Sequence, residues 1–313
     1  MSSFNRSSRR YSYCRSLVRM FRIEIATGAS RRTVAIVGRD LDREQALDPA
    51  RNQSTIFGEV ADLYERSRPS YPAQLFDWIG TVSNIGNSAL VVDVGCGTGK
   101  SSEWFVRNGH TVVGIEPDPR MAAIASAKLH KSNCFTVETV EFQNWLGLAA
   151  PADLVISGQA WHWADPLTRF RSAHATLKNQ GWLCVFWNQP EVHSDEIHKD
   201  IDKVYDFLPS DVKQAFVGTR LPGSKSAITA ASPAAEFDES KCFGSVKQFN
   251  LSWELEVTSQ SHVQNLLTQS THRLLPTEYR YRLLNEITDV INSHGGSYIQ
   301  TFNTHAYAAM RST

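Results

Sequence analysis

A loop with three glycines at alternate positions is the feature of the sequence with the clearest chemical potential. The segment Asp93-Val-Gly-Cys-Gly-Thr-Gly99 follows an apolar run and precedes a helix-like segment. This arrangement allows a tight strand-to-helix turn that exposes backbone N–H groups to a ligand. Because folding alone seldom requires glycines at this density, we expect Gly95, Cys96, Gly97 and Gly99 to border a bound cofactor.

Two phosphate-binding motifs are similar to this loop, but the spacing excludes both. A Walker A loop needs a glycine six positions before Lys100, where the chain has Val94. A dinucleotide fingerprint needs its third glycine three residues after Gly97, at the position of Lys100. Asp93 would also repel a pyrophosphate, whereas its carboxylate favours the amino group of a methionine moiety, directly or through water. The loop therefore indicates a cofactor that carries an amino group.

A second acid, Glu116, follows the next apolar run along the chain. An acid about twenty residues beyond such a glycine loop is well placed to bind a ribose. Its carboxylate can accept hydrogen bonds from both ribose hydroxyls. The simpler alternative is an acid at a helix N-terminus, beside Asp118.

The segment Gln159-Ala-Trp-His-Trp163 begins where the fourth apolar run ends. Open α/β sheets bind their ligands at the carboxyl ends of parallel strands. His162 is the obvious acid–base candidate there, and Trp161 and Trp163 are candidates for excluding water or contacting a substrate. A hydrogen-bonded structural histidine and ordinary packing of the two tryptophans are the alternatives.

A repeating pattern of apolar runs and helix-like segments predicts the scaffold for these residues. The pattern is typical of a parallel sheet covered by helices on both faces. The predicted strands are Ala89–Val94, Thr111–Ile115, Phe135–Val140, Ala152–Ser157 and Trp182–Trp187. The predicted helices are Ser101–Asn108, Pro119–Leu129 after the N-cap candidate Asp118, and Pro166–Leu177 after Asp165.

The pattern changes after Asn188, where a polar insertion over about residues 190–245 is predicted to form part of a substrate cap. The remaining chain is predicted to complete a Rossmann-like α/β fold, whose seven-stranded sheet is mostly parallel with an antiparallel last strand. The predicted elements are a helix at 195–208, a long loop at 221–235, a strand at 251–257, helices at 260–270 and 276–293, and a last strand at 297–310.

The charge distribution separates a basic N-terminal segment from an acidic body. The first forty residues carry nine Arg and two acidic residues, which leaves 23 basic and 30 acidic residues in 41–313. A body of this charge lacks the basic surface that nucleic acid requires, so we expect no nucleic-acid partner. Segment 1–51 has the composition of an organellar transit peptide, but a disordered basic tail or an extension before a later start at Met20 is together favoured over it. We assign residues 52–313 to the folded domain.

The cysteines and the length of the apolar runs indicate a cytoplasmic protein, or an organellar one if segment 1–51 directs import. The five cysteines include no closely spaced pair, so neither a zinc site nor a disulfide framework is predicted, and we expect no metal. No run approaches the roughly eighteen apolar residues of a membrane-spanning helix, so no membrane is expected as a partner. The composition carries no prediction of the oligomeric state.

Four blocks of sequence resemble the class I S-adenosylmethionine-dependent methyltransferases, and more narrowly their small-molecule subgroup, which includes trans-aconitate-type enzymes. The resemblance covers residues 57–311. It implies that S-adenosylmethionine is the cofactor and that its methyl group is transferred to a small-molecule acceptor. The blocks are Phe57–Tyr64 with Arg68–Pro72, the loop Asp93–Gly99, Gly114–Asp118 and Gln159–Trp163.

The resemblance also implies roles for residues outside the glycine loop. Tyr64 and Arg68 are expected to border the methionine end of the cofactor or the substrate, although each is also explained as a structural residue. Pro117 and Gln159 lie in matching blocks and are expected to border the cofactor. Relatives place an acid after the third strand to bind the adenine amino group. Asn144 stands there in this chain, and its carbonyl can accept that hydrogen bond without charge assistance.

The sequence leaves three functional hypotheses. A small-molecule methyltransferase is favoured. A carboxylate acceptor would need no base, and Arg68 would orient it. A hydroxyl acceptor would use His162 as a base. A non-catalytic, S-adenosylmethionine-binding regulatory protein is suggested by Asn144 and by Gln180, which stands in a turn where relatives have glycine. A nicotinamide-dependent oxidoreductase is disfavoured by Lys100 and Asp93.

Overall fold

The structure is a computed structural model that describes residues 61–130, 133–193, 195–210, 212–213 and 232–313. The predictions for segment 1–51, for Phe57–Val60 and for most of the loop at 221–235 lie outside these residues. The described residues all belong to one compact unit, residues 47–313.

A seven-stranded sheet with the order β3-β2-β1-β4-β5-β7-β6 forms the centre of the fold. β7 is antiparallel to both of its neighbours, and the other pairings are parallel. The predicted Rossmann-like α/β fold is therefore confirmed. The strand order reverses between β1 and β4, which places the ligand crevice of such a sheet at their carboxyl ends. The strands are β1 (Leu90–Val94), β2 (Thr111–Ile115), β3 (Phe135–Glu138), β4 (Ala152–Gly158), β5 (Leu177–Pro190), β6 (Lys247–Thr258) and β7 (Ser297–Met310).

Helices cover both faces of the sheet, which is why the central strands read as continuous apolar runs. Alternate residues of β1 enter different cores: Val91 packs in one cluster with Leu75 and Phe105, and Val92 in another with Phe170. The helices are α1 (Ala61–Ser67), α2 (Ala73–Ser83), α3 (Ser102–Arg107), α4 (Pro119–Leu129), α5 (Arg169–Thr176), α6 (Glu196–Val204), α7 (Pro233–Ser240), α8 (Ser259–Leu266), α9 (Ser270–Arg273) and α10 (Thr277–Ser293). Three short 3₁₀ helices are Phe142–Asn144, Trp161–Trp163 and Tyr205–Phe207.

Among the boundaries that differ from the prediction, the starts of β5 and α5 have identifiable structural causes. β5 begins at Leu177 instead of Trp182, because Leu177 already pairs with Ala152 before a register shift. Gln180 takes a left-handed conformation within this stretch, with φ of 64°.

Helix α5 begins at Arg169 instead of Pro166. The Asp165 carboxylate accepts hydrogen bonds from the Leu167 N–H at 3.0 Å and the Thr168 hydroxyl at 2.7 Å. Asp165 therefore closes a turn before the helix, and the helix begins three residues later than predicted.

The segment predicted as part of a cap packs against the C-terminal helices. Ile197 and Ile201 of α6 lie one turn apart and share an apolar cluster with Leu266 of α8 and Leu283 and Ile287 of α10. Among the described residues, no helix combines the length and the apolar character needed to cross a membrane.

Candidate active site

Asp93 ends β1 with one carboxylate oxygen paired and the other unpaired. Its Oδ2 accepts hydrogen bonds from the hydroxyls of Ser101 and Ser102, both at 2.6 Å. Its Oδ1 is buried and has no hydrogen-bond partner. Burial raises the pKa of the Asp93 carboxyl to about 6, although the two serine hydrogen bonds act in the opposite direction. An unpaired buried acceptor is costly, so this oxygen fits a ligand that brings a donor, such as an amino group.

The glycine loop is shaped for close approach of neighbouring backbone. Gly95, Gly97 and Gly99 all have left-handed backbone conformations, with φ of 69°, 56° and 79°. A Cβ at Gly95 would lie 2.4 Å from the Cβ of Ala160, in the segment that follows β4. Glycine at position 95 therefore lets the ends of β1 and β4 meet.

The expectation that this loop exposes its N–H groups is wrong for four of its residues. The N–H groups of Gly95 and Cys96 donate to the Ile115 carbonyl at 2.8 and 3.2 Å, and that of Gly99 donates to the Cys96 carbonyl at 2.8 Å. The Gly97 N–H donates to Glu116 Oε2 at 2.9 Å. The side chain of Cys96 is also buried, which raises the pKa of its thiol. The loop therefore contributes its shape to a binding site, and the acids beside it contribute hydrogen-bond acceptors. These four amide groups are not free donors.

Glu116 and Asp118 divide the two roles that the sequence left open for the acid after β2. Asp118 caps α4, because its Oδ1 accepts from the Arg120 N–H at 2.8 Å. Glu116 instead faces the glycine loop, where its Oε2 accepts from the Gly97 N–H. Its Oε1 accepts from the Asp118 N–H at 2.9 Å. Burial raises the pKa of the Glu116 carboxyl to about 7, against these two backbone hydrogen bonds. Each oxygen keeps a second lone pair for a hydroxyl of a diol, and Pro117 is half-buried between the two acids.

Asn144 lies at the exposed end of the 3₁₀ helix that follows β3. Its Nδ2 donates to Glu141 Oε2 at 2.9 Å, and Gln143 Nε2 donates to the same oxygen at 3.1 Å. This contact orients the Asn144 amide with its carbonyl as the remaining acceptor, as adenine recognition would require.

Helix α1 brings Tyr64 and Arg68 to the same site. Arg68 stacks on the Tyr64 ring, with its Cζ 5.3 Å from the ring centroid, and its Nε donates to Thr268 Oγ1 at 2.9 Å. Burial raises the pKa of the Tyr64 hydroxyl; Arg68 lowers it, and the Glu116 carboxylate raises it further. Tyr64 is therefore within electrostatic range of the predicted ribose acid.

Gln159 and Asn188 connect the carboxyl ends of β4 and β5. Gln159 has φ of 59°, and its Nε2 donates to the Asn188 carbonyl at 2.7 Å. Asn188 is buried; its Nδ2 donates to the Ser70 carbonyl at 3.2 Å and its Oδ1 accepts from the Thr304 hydroxyl at 2.7 Å. The Gln159 side chain is thus bound to the protein, and its predicted contact with the cofactor stays a prediction.

His162, Trp161 and Trp163 occupy three different environments. Trp161 is 1% exposed and packs against Phe170 at 5.3 Å between ring centroids, whereas Trp163 is 40% exposed. His162 is exposed to solvent, and its Nδ1 accepts a long hydrogen bond of 3.4 Å from Trp187 Nε1. The protein packed around the imidazole, and then Arg169, lower the pKa of His162 to about 4. His162 is therefore neutral at physiological pH and only weakly basic, and Trp163 is the tryptophan accessible to a substrate.

Five residues that contribute to this site were not predicted from the sequence. Ser101 and Ser102 resemble ordinary helix-start residues, and nothing in the sequence indicates that Asn188 contacts Ser70. The hydroxyl of Tyr71 would lie 2.6 Å from a Cβ at Gly158, so this ring closes the site at the end of β4. The fifth residue, Glu65, contacts Thr98 of the glycine loop.

Comparisons with known proteins agree with this fold and site. Residues 92–185 match the family described as a methyltransferase domain. An uncharacterized methyltransferase of Mycobacterium tuberculosis is 24% identical over 246 residues, covering 78% of this chain and 88% of its own length. A probable S-adenosylmethionine-dependent methyltransferase of Saccharomyces cerevisiae is 30% identical over 135 residues, covering 41% of this chain and 45% of its own.

Solved structures show the same fold. A putative type II methyltransferase from Anaeromyxobacter dehalogenans aligns with a TM-score of 0.52 and 20% identity over 78% of this chain and 96% of that one. A phosphoethanolamine N-methyltransferase of Haemonchus contortus, solved with S-adenosylhomocysteine, aligns with a TM-score of 0.50 and 12% identity over 84% of this chain and 59% of that one. Residues 92–185 are therefore similar to a methyltransferase domain, and the fold is that of a solved putative methyltransferase. The chain is an enzyme, and S-adenosylmethionine is its cofactor.

Proposed function

We propose that this enzyme transfers a methyl group to a small-molecule acceptor through a carboxylate or hydroxyl oxygen, and that a carboxylate is the preferred acceptor. The observation that carries this proposal is the hydrogen bonding of the Arg68 guanidinium. Its Nε is bound to the buried Thr268, and no other described residue is hydrogen-bonded to its two terminal guanidinium nitrogens, which can therefore donate to a ligand. A guanidinium edge matches a carboxylate in a bidentate geometry.

The acidic residues at the ends of β1 and β2 suit the two polar ends of the cofactor. S-adenosylmethionine supplies an electrophilic methyl group on a sulfonium. Asp93 Oδ1 accepts from its amino group, and Glu116 accepts from its ribose hydroxyls. Asn144 accepts from the adenine amino group through its carbonyl, while the glycine loop, Pro117 and Gln159 border the cofactor. Tyr64 covers the site from α1.

The acid–base properties of His162 favour a carboxylate acceptor over a hydroxyl. Methyl transfer is an in-line displacement that depends on alignment and a dry pocket, and a carboxylate is already nucleophilic at neutral pH. An imidazole with a pKa of about 4 is a poor base for an alcohol or phenol. Trp163 and Tyr71 exclude water and contact the acceptor, and Arg68 orients its carboxylate. These features support the proposal that the enzyme belongs to the small-molecule, trans-aconitate-type subgroup.

A screen with matched acceptor pairs tests this function. The enzyme is incubated with methyl-labelled S-adenosylmethionine and a panel of carboxylic acids, each paired with its primary amide, together with phenols and amines. We expect label in the acids, as methyl esters that alkali hydrolyses, and none in the amides. Label only in amines or phenols would contradict the carboxylate proposal. The Arg68→Lys variant should lose activity on acids while still binding S-adenosylhomocysteine.

A further inference from the structure

Polar contacts connect helix α1 to its neighbours. Among its described residues, Ala61 is the one that is buried. This small apolar burial contributes little to holding the helix in place. The contacts of its polar side chains therefore help to determine where α1 lies.

Glu65 connects α1 to the glycine loop and to α4. Its Oε2 accepts a hydrogen bond from the Thr98 hydroxyl, and Thr98 is 1% exposed within the loop. Its Oε1 accepts from Lys128 Nζ of α4 at 2.9 Å, and Lys100 Nζ lies 3.7 Å from Oε2. One carboxylate thus joins three segments that are distant in sequence.

The same helix presents the residues that cover the site. Tyr64 precedes Glu65 and is influenced electrostatically by Glu116. Arg68 follows less than one turn later; its N–H donates to the Tyr64 carbonyl at 3.1 Å, and its side chain binds Thr268. Movement of Glu65 away from Thr98 would therefore displace Tyr64 and Arg68 from the cofactor.

We propose that Glu65 is a positioning residue for cofactor binding: it holds α1 against Thr98 of the glycine loop, so that Tyr64 and Arg68 cover the bound cofactor. This inference rests on the proposed placement of the cofactor at Asp93 and Glu116. Partly exposed ion pairs contribute little to global stability. Loss of Glu65 consequently affects cofactor affinity and the dissociation rate more than it affects unfolding.

A double-mutant cycle tests the inference with S-adenosylhomocysteine as the probe. Its dissociation constant is measured by calorimetry, and its dissociation rate by stopped flow, for Glu65→Met, which has no oxygen acceptor, for Thr98→Val and for the double variant. We expect each single variant to raise the dissociation constant about tenfold, as for the loss of a charge-assisted hydrogen bond. The double variant should be no weaker than either single variant, because both remove the same contact. Thr98→Ser, which keeps the hydroxyl, should bind as the wild type does.

Glu103→Met is the matched control. Glu103 also contacts Lys128, at 3.3 Å, but it belongs to α3, and its side chain makes no hydrogen bond or ion pair with α1 or Thr98 among the described residues. Its substitution should leave the dissociation constant unchanged within about twofold. Additive effects in the double variant, or a lower melting temperature with unchanged affinity, would overturn the role of Glu65. Failure of the wild type to bind S-adenosylhomocysteine would instead refute the cofactor placement, and the role of Glu65 with it.

Discussion

Glu116 Oε2 accepts a hydrogen bond from the Gly97 N–H at 2.9 Å, which joins the end of β2 to the glycine loop before any ligand binds. The contact fixes the orientation of the carboxylate and keeps a lone pair on each oxygen available. It also buries a second acid near Asp93, and the Asp93 carboxylate adds to the cost of ionising Glu116. The site is therefore acidic and buried, with oxygen atoms that can accept hydrogen bonds from a ligand.

Cofactor binding should release protons near pH 6.5. The pKa values of about 6 for Asp93 and about 7 for Glu116 mean that both acids are partly protonated there in the free enzyme. Donors from the ligand favour the ionised forms, so affinity for S-adenosylhomocysteine should rise from pH 5 to 8, with release of up to about one proton. Calorimetry in phosphate and in imidazole buffer at pH 6.5, which differ in their enthalpies of ionisation, measures this release. Identical binding enthalpies in the two buffers, after correction for dilution, would argue against it.

The same raised pKa values should make the ligand-free enzyme less stable as pH rises, whereas its affinity for the ligand should increase. Both folded-state pKa values exceed those of the unfolded chain, so the folded state binds protons more tightly between about pH 4 and 7. The contribution of Asp93 and Glu116 to the free energy of unfolding should therefore decrease as pH rises through this window. Denaturant unfolding of the wild type and of Asp93→Asn across the window isolates this contribution, because the variant lacks the Asp93 part.

Replacement of His162 should distinguish a carboxylate acceptor from a hydroxyl acceptor. His162→Asn removes the imidazole, and for a carboxylate acceptor we expect kcat to fall less than about tenfold, whereas loss of a general base costs about 10²- to 10⁴-fold. The kcat is measured with the acceptor identified in the paired screen. A fall of a thousandfold with an unchanged dissociation constant for S-adenosylhomocysteine would assign proton transfer to His162.

Gln180→Gly should stabilise the fold without affecting activity. Gln180 is exposed and has φ of 64°, a conformation that costs a non-glycine residue more than it costs glycine. We expect the free energy of unfolding to rise by roughly 0.5–1 kcal/mol. Gln180→Ala keeps a Cβ and is the control that should show no gain. Equal stability of the glycine and alanine variants would mean that the left-handed turn is not strained.

Asn188 should affect both stability and ligand binding. Asn188→Ala leaves buried polar partners unpaired, and we expect the free energy of unfolding to fall by about 1–3 kcal/mol. Thr304→Val also removes a bond to Asn188 but keeps the contact between Asn188 and Ser70. Affinity for S-adenosylhomocysteine should therefore fall in Asn188→Ala and be retained in Thr304→Val. Equal affinities in the two variants would limit Asn188 to a structural role.

The elements with the clearest local signals were predicted from the sequence to the residue. β2, α4 and β7 have the predicted bounds, because a continuous apolar run, the N-cap Asp118 and a long alternating pattern define them locally. The start of β5 was missed because it depends on pairing between Leu177 and Ala152 across a register shift. That pairing is a tertiary contact, which sequence periodicity does not carry.

The residues of the site also fall into those that a local motif predicts and those that depend on tertiary contacts. Asp93 and Glu116 were identifiable from a motif whose spacing reflects the backbone geometry of a strand-to-helix turn. Glu65 and Thr98 are 33 positions apart, and Asn188 and Ser70 are 118 apart. Contacts of that kind arise only when helices and strands assemble, so no single-sequence pattern predicts them.

Calorimetric titration of S-adenosylhomocysteine into the wild type, Asp93→Asn and Glu116→Gln tests the central claim most directly. That claim is that Asp93 and Glu116 hold the two polar ends of the cofactor. We predict 1:1 binding by the wild type and a dissociation constant at least about tenfold weaker in each variant, with Glu103→Gln unchanged. Wild-type affinity in both variants, or no binding by the wild type at millimolar ligand, would contradict it.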